Sequence, residues 1–378
     1  MGLLQPFWPA SACPLDRMSR DYSQFLPSNK LGSAPKPEKT FLQLHGWQPF
    51  FSQQTTVEEI EETPPVRVTR VHRNGCFVLG DGIEMQIPPG PDATVGDWLL
   101  LDQILPSNSR VLERKSVFKR RAPGHDRRFQ LIASNVDTAF IVSSCNQDFN
   151  VARLERYIAL AFEADVEPVI ILTKADLCDD PEPYVTQSQA ISDRATVVLL
   201  NALSDEPIAK LADWCKTGQT VAFLGSSGVG KSTLVNALFG EGTADTAGIR
   251  EDDARGRHTT TSRHLRFTAE GCGILDTPGM REIQMADAEA GIANLFGDLT
   301  ELALQCKFND CSHEVEPGCA IRKAVDDGRV DQARYERWQK LAAEDKFNST
   351  SFAERKADAK AFGKVVKSAV KHKKRQTK

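Results

Sequence analysis

The 378-residue sequence contains no long apolar run and no strong excess of charge of either sign. Because no apolar stretch approaches the roughly 18 residues that a membrane-spanning helix needs, we expect no membrane span. The first residues lack a basic segment followed by an apolar one, which argues against a secretory signal peptide. The formal net charge of −4 gives no indication of nucleic-acid binding by the chain as a whole, so any basic surface must be local.

The nine cysteines are too few and too scattered for a disulfide scaffold in a chain of this length. Without a secretion signal the thiols are expected to stay reduced, so a cysteine cluster indicates metal binding. Such a cluster, three cysteines and one histidine, lies near the C-terminus and is a closed structural zinc set with no position open for catalysis. We therefore expect one structural Zn²⁺ per chain, held by Cys306, Cys311, His313 and Cys319.

The stretch that says most about function is Gly225–Thr233, Gly-Ser-Ser-Gly-Val-Gly-Lys-Ser-Thr. It lies between an apolar run, Thr220–Leu224, and a helix-like run, which is the strand–loop–helix context of a phosphate-binding loop. In such a loop backbone N–H groups bind phosphate oxygens, a lysine reaches the β- and γ-phosphates, and a hydroxyl ligates Mg²⁺. The expected nucleotide contacts are Gly225, Ser226, Ser227, Gly228, Val229, Gly230, Lys231, Ser232 and Thr233.

A second motif, Thr173–Asp176, follows the apolar run Pro168–Leu172. A carboxylate at its last position accepts hydrogen bonds from guanine N1–H and the 2-amino group, which adenine does not offer. A polar site left unpaired by the wrong base discriminates by roughly 10⁴ or more. A third strand-like run leads to Asn201–Leu203. The residues expected to contact the guanosine are Thr173, Lys174, Asp176, Leu177 and Ala202.

A third motif, Asp276–Gly279, reads Asp-Thr-Pro-Gly and also follows an apolar run. Its aspartate can hold Mg²⁺ through water, and the N–H of Gly279 can contact the γ-phosphate. The preceding segment Arg255–Thr261 is rich in hydroxyls, and one of its threonines is expected to complete the Mg²⁺ shell when GTP is bound. The expected Mg²⁺ ligands are Ser232, Thr259, Thr260 and Asp276.

The order of these motifs is unusual, because the base-reading motif precedes the phosphate loop, whereas in an ordinary GTPase it follows. A circular permutation explains this order, since the sheet keeps its geometry while the termini move. Strands that alternate with helices predict a parallel sheet with ligands at the carboxyl ends of its strands. Any domain that follows Asp276–Gly279 is then attached directly to a nucleotide-sensitive element.

The regions outside this α/β unit have weaker patterns. Short strand-like runs with tight turns from Val66 to about Phe118 predict a small barrel such as an OB-fold, which either binds RNA or only packs. Lys115–Arg128 is expected to be a basic linker that either contacts RNA or is only a solvated connector, and Leu44–Phe51 an aromatic segment that packs. The lysines of Arg355–Lys378 at helical spacing favour contact with RNA phosphates over a disordered tail.

With these motifs in this order, the sequence resembles the circularly permuted ribosome-biogenesis GTPases of the RsgA (YjeQ/YloQ) family. The resemblance runs from about Gly46 to the C-terminus and includes Ala133–Asp137, Gly256–Thr261 and the cysteine cluster. It implies a monomeric, cytoplasmic GTPase without membrane association that acts late in maturation of the small (30S) ribosomal subunit. The implied partners are that subunit, its rRNA, GTP and GDP, with Mg²⁺ bound alongside GTP. Thr173 stands where the family more often has Asn, which predicts a looser base-reading loop.

The expected fold is multidomain, with a small β-barrel (OB-fold), an α/β P-loop GTPase domain with circular permutation, and a zinc-binding α-helical domain. The expected bounds are 1–64 for a partly disordered N-terminal extension, 65–118 for the barrel, 119–284 for the GTPase domain, 285–345 for the zinc-binding domain and 346–378 for a basic tail.

Catalysis is expected to be slow in the isolated protein. Met280 follows Gly279 where many GTPases place a glutamine that orients the attacking water, and a methionine cannot hydrogen-bond that water usefully. We expect His258 to supply this function, as the resemblance also implies, and Lys231 to stabilise phosphate charge. A partner that orders the switch segment would accelerate turnover by roughly 10³ to 10⁵.

Two other functions fit parts of the sequence. An RNA-binding assembly protein would use GTP only as a conformational latch, with negligible turnover. A metabolic P-loop kinase is disfavoured by Asp176, which selects guanine.

Overall fold

A computed structural model of the chain describes residues 39–90, 92–121, 129–240, 263–276 and 287–350. The strands are β1 (Pro65–His72), β2 (Gly75–Gly80), β3 (Ile83–Ile87), β4 (Trp98–Leu100), β5 (Arg110–Val111), β6 (Val117–Arg121), β7 (Phe129–Ser134), β8 (Thr138–Ser144), β9 (Glu167–Thr173), β10 (Thr196–Leu199), β11 (Thr220–Gly225), β12 (Arg263–Phe267) and β13 (Gly273–Asp276). The helices are α1 (Phe41–Leu44), α2 (Pro49–Ser52), α3 (Val57–Glu62), α4 (Val151–Glu163), α5 (Glu182–Gln189), α6 (Glu206–Lys210), α7 (Lys231–Phe239), α8 (Glu289–Leu295), α9 (Gly297–Ala303), α10 (Ala320–Asp326) and α11 (Gln332–Ser349).

A sheet of eleven strands runs through most of the described chain in the order β10-β9-β8-β11-β13-β12-β1-β2-β3, with β4 paired to β1 and β5 to β4. Strands β10, β9, β8, β11 and β13 are parallel, whereas β12 is antiparallel to β13. The predicted parallel α/β sheet is thus confirmed. Strand β1 pairs with β12, a contact that the sequence pattern does not predict, and this pairing makes the barrel strands continuous with the α/β sheet.

The central strands are apolar on both faces because helices cover both sides of the parallel sheet. Strands β8 and β11 are buried along their whole length. Helix α4 begins after Asn150, whose side chain accepts a hydrogen bond from the N–H of Arg153, and its apolar face is buried against the sheet. None of the helices in the described parts of the chain is long and apolar enough to span a bilayer.

The aromatic segment near the N-terminus packs on the barrel, as predicted. The Trp47 ring meets that of Trp98 edge-on with 4.9 Å between centroids, and Phe51 is 2% exposed. Trp98 lies in β4 and is fully buried. The segment that contains α1 and α2 therefore covers one side of the barrel and stabilises it by burial of apolar area.

The expectation that Lys115–Arg128 is a linker is wrong for its first part. Val117–Arg121 is strand β6, which pairs with β7 in a separate two-stranded sheet. Phe118 is buried and anchors this ribbon, and Arg121 forms a bidentate ion pair with Asp287. Residues 122–128 lie outside the described residues, so RNA contact by this segment stays a prediction.

A buried arginine joins three parts of the molecule. Arg67, in β1, is 1% exposed, and its guanidinium donates to the carbonyls of His45, Gly96 and Asn135 and to the Thr220 hydroxyl, at 2.8 Å in the last case. It also lies over the ring of Trp98. Burial lowers the pKa of Arg67 to about 10, and the nearby Asp137 and Asp97 carboxylates oppose that shift.

Removal of this guanidinium is expected to destabilise the whole assembly of strands. We predict that Arg67→Met lowers the free energy of unfolding in urea by about 3 kcal/mol or more, because several buried acceptors lose their donor. Arg70→Met is the matched control, since Arg70 is exposed on the same strand and should cost about 1 kcal/mol or less. Equal losses in the two variants would contradict this role for Arg67.

Candidate functional site: a nucleotide edge and a metal-binding cluster

The predicted phosphate loop connects β11 to α7. Its glycines at 225, 228 and 230 have φ of +138°, +78° and +98°, a region that favours glycine. A Cβ at position 225 would lie 2.3 Å from the carbonyl oxygen of Val142 on the neighbouring strand, so only glycine fits there. The Lys231 ammonium donates to the carbonyls of Gly225 (2.8 Å) and Ser226. The loop thus has the curled backbone that a phosphate group needs, at the N-terminus of a nine-residue helix.

The predicted base-reading motif begins where β9 ends. The Thr173 side chain is fully buried, and its hydroxyl oxygen lies 2.6 Å from the carbonyl oxygen of Val229 in the phosphate loop and 3.1 Å from that of Ser143. A single hydroxyl proton serves one of these acceptors at a time. The threonine therefore ties this motif to the phosphate loop, and a loop looser than with Asn at this position stays a prediction.

The remaining residues of this motif are available to a ligand. Lys174 has φ +58°, which turns the chain out of the sheet, and Ala175–Leu177 forms a 3₁₀ turn. Asp176 and Leu177 are exposed, Leu177 by 77%. The carboxylate is therefore presented to solvent at the carboxyl end of β9.

The loop that follows β10 carries Ala202. The Asn201 side-chain oxygen accepts the N–H of Leu203 at 2.8 Å, and Glu206 accepts the N–H of Asn201 at 3.0 Å. These bonds fix the loop around Ala202, which is 9% exposed. Strands β10, β9 and β11 run in the same direction, so the Ala202 loop, the base-reading motif and the phosphate loop meet at one edge of the sheet. We call this edge, formed by Thr173–Leu177, Ala202 and Gly225–Thr233, the nucleotide edge.

Strand β13 is parallel to β11, and its last residue, Asp276, reaches the same edge. The Asp276 side chain and the other residues predicted to assist phosphate and Mg²⁺ chemistry, His258, Thr259, Thr260 and Gly279, lie outside the described residues and stay predictions.

One residue at this edge was missed by sequence reasoning. The guanidinium Nη1 of Arg153, in the first turn of α4, lies 2.6 Å from the Ser226 hydroxyl in the phosphate loop. The only signal in the sequence was its position after Asn150, a helix N-cap residue in the loop that follows β8.

The predicted zinc ligands come together between α9 and α10. One potential ligand atom from each of Cys306, Cys311, His313 and Cys319 lies within 4.8 Å of all the others. The Cys306 and Cys319 sulfurs are 3.9 Å apart, and each is 3.5 Å from Nδ1 of His313. A tetrahedron with metal–sulfur bonds of about 2.3 Å and metal–nitrogen bonds of about 2.0–2.1 Å has edges of about 3.8 and 3.5 Å. The cluster therefore has the dimensions of a tetrahedral metal site.

The protonation of these ligands also fits a cation. Burial lowers the pKa of His313, which favours the neutral imidazole that binds metals. Burial, together with the neighbouring Cys319 and Cys306 side chains, raises the pKa of Cys311 to about 11. Three thiolates this close therefore need a cation to ionise together. The Tyr335 hydroxyl donates to the His313 carbonyl at 2.5 Å, so helix α11 holds this side of the cluster.

Comparisons with known proteins agree with this geometry. A model of the RsgA GTPase family matches residues 111–286. The small ribosomal subunit biogenesis GTPase RsgA 2 of Vibrio parahaemolyticus is 46% identical over 334 residues, which cover 88% of this chain and 93% of that protein. The small ribosomal subunit biogenesis GTPase RsgA of Mesorhizobium japonicum is 47% identical over 312 residues, covering 80% and 90%.

Solved structures extend the likeness to the fold. YjeQ from Thermotoga maritima is 25% identical with a TM-score of 0.54, over 73% of this chain and 96% of that one. YloQ, described as a circularly permuted GTPase, has a TM-score of 0.53 at 24% identity, over 79% of this chain and 100% of that one. The circular permutation inferred from motif order is thereby confirmed. The chain belongs to the RsgA GTPase family and is a GTP-hydrolysing enzyme.

Proposed function

We propose that this GTPase acts in late maturation of the small ribosomal subunit, binds its rRNA and is stimulated by the subunit. The observation that carries the proposal is the 46% identity to a small ribosomal subunit biogenesis GTPase across 93% of that protein.

We further propose that the protein works as a cytoplasmic monomer. The basic tail, residues 346–378, is proposed to contact rRNA phosphates, and such contacts weaken steeply with salt.

The nucleotide edge is proposed to hold GTP with Mg²⁺. In this arrangement Asp176 accepts from the guanine base, the loop N–H groups and Lys231 bind phosphate oxygens, and Ser232 and Asp276 are Mg²⁺ ligands together with Thr259 or Thr260. The Mg²⁺ neutralises charge that develops on the phosphates. His258 is proposed to orient the attacking water.

The base specificity is testable at one side chain. We predict that Asp176→Asn weakens GTP binding by roughly 10- to 100-fold, because the amide oxygen still accepts one hydrogen bond from guanine whereas the other bond to a charged acceptor, about 1.5–3 kcal/mol, is lost. The amide should also improve binding of xanthosine triphosphate, whose C2 carbonyl accepts a hydrogen bond. Fluorescence titration with labelled nucleotides measures both. Asp179→Asn, a nearby exposed control, should bind GTP normally, and equal effects of the two changes would exclude base recognition by Asp176.

Turnover should depend on the subunit. We expect slow GTP hydrolysis by the isolated protein and acceleration by roughly 10³ to 10⁵ when purified small subunits are added, because the particle orders the switch segment. Phosphate release measures the rate, and co-sedimentation under GDP, GTP and a non-hydrolysable analogue measures binding. Large ribosomal subunits are the control. Equal turnover with and without small subunits would sink the proposal of stimulation.

We propose that the metal of the cysteine cluster is a single structural Zn²⁺. A structural zinc contributes on the order of 10 kcal/mol to the folding of a small domain. Its four protein ligands leave no open position for catalysis.

Loss of one ligand should empty this site. We predict that Cys311→Ala releases zinc and unfolds the segment 306–326, since three remaining ligands and a small core do not hold it. Metal analysis after gel filtration and protection of backbone amides report the two effects. Cys178→Ser, outside the cluster, should keep one zinc per chain. Stoichiometric zinc in the Cys311 variant would rule out the ligand set.

A further inference from the structure

Helix α4 contacts the phosphate loop at its first turn. Arg153 donates to the Ser226 hydroxyl at 2.6 Å and approaches the carbonyl of Asp148 at 3.5 Å. Its own backbone N–H is held by the Asn150 side chain at 3.0 Å. The start of α4 and the second residue of the loop are thus fixed to each other by a charged donor.

The same part of α4 is clamped to the C-terminal helix α11. Glu155 is fully buried, and its two carboxylate oxygens, Oε1 and Oε2, accept from the Nε–H of Arg337 at 2.9 and 2.8 Å. Burial raises the pKa of Glu155 and Arg337 opposes that shift. The next residue, Arg156, pairs with Glu344. These two ion pairs seat α11 on α4 within one turn of Arg153.

Helix α11 in turn supports the cysteine cluster. Its Tyr335 bonds to the His313 carbonyl, and its Trp338 ring lies 5.4 Å from the His313 ring between centroids. A partner that binds the segment around Cys306–Cys319 can therefore act on α11, and through α11 on α4, without contacting the nucleotide.

We propose that Arg153 is a positioning residue that couples the seating of α11 on α4 to the shape of the phosphate loop. The Ser226 carbonyl is also a partner of Lys231. When Lys231 turns to phosphate oxygens, fewer of its donors remain for the loop, and the bond from Arg153 keeps Ser226 in place. Displacement of α11 changes this bond and so changes GTP affinity, and by linkage GTP binding changes how α11 is held.

This inference rests on GTP binding at the phosphate loop, and the test separates the two. Arg153→Met and Ser226→Ala should each raise the KM for GTP about tenfold with kcat within about twofold, because a charge-assisted bond that shapes the site is lost. The KM of the double variant should be no higher than that of either single variant, and Arg153→Lys should have a KM between those of the wild type and Arg153→Met. Arg194→Met is the control, since Arg194 is an exposed arginine over Phe162 at the other end of α4.

The coupling itself is tested by a double-mutant cycle with the clamp. Glu344→Gln weakens the partly exposed pair to Arg156 without leaving a fully buried charge, and should raise the KM for GTP about threefold. In the Arg153→Met background the same change should have no effect. Multiplicative effects of the two changes would overturn the coupling, and a normal KM in Arg153→Met would overturn the positioning role. Failure of the wild-type protein to bind GTP would instead refute the proposed function.

Discussion

The rest of the described structure depends on one buried charge, the guanidinium of Arg67, which has almost no access to water. Arg67 has to satisfy its donors inside the protein, because burial of an unpaired charge is very costly. Its acceptors come from the N-terminal aromatic segment, from the barrel and from the α/β unit, so the charge is accommodated only when all three are in place. This requirement holds the N-terminal aromatic segment and the barrel in place beside the α/β sheet.

The nucleotide edge depends on the same requirement, that a buried polar group must have a hydrogen-bond partner. Thr173 is polar and fully buried, and it is accommodated because carbonyls of β8 and of the phosphate loop both lie within reach of its hydroxyl. The motifs proposed to recognise the base and the phosphates thereby lie together at one set of strand ends. Arg153 of α4 adds a second support to the loop, so the site is held both from the sheet and from the helix that packs against α11.

The features that the sequence revealed are local in the chain. The phosphate loop, the base-reading motif and the Cys₃His cluster each depend on residue types at short fixed spacing, and the motif order alone disclosed the permutation. The features that it did not reveal are contacts between distant residues: β1 with β12, Arg153 with Ser226, and Glu155 with Arg337. Strand β6 was missed for a related reason, because its basic residues are stabilised by Phe129 and Asp287, which lie elsewhere in the sequence. Charge composition by itself indicated only a basic linker.

The continuity of β1 with β12 has a consequence for biosynthesis. During translation β1 emerges early, whereas its neighbour β12 follows after most of the chain has been made. Until then one edge of the barrel has unpaired backbone groups, which are a template for wrong pairing. Contacts between strands so distant in sequence also slow folding. The pairing of β1 with β12 can therefore form only late in synthesis, and it joins the barrel strands to the sheet that carries the nucleotide edge.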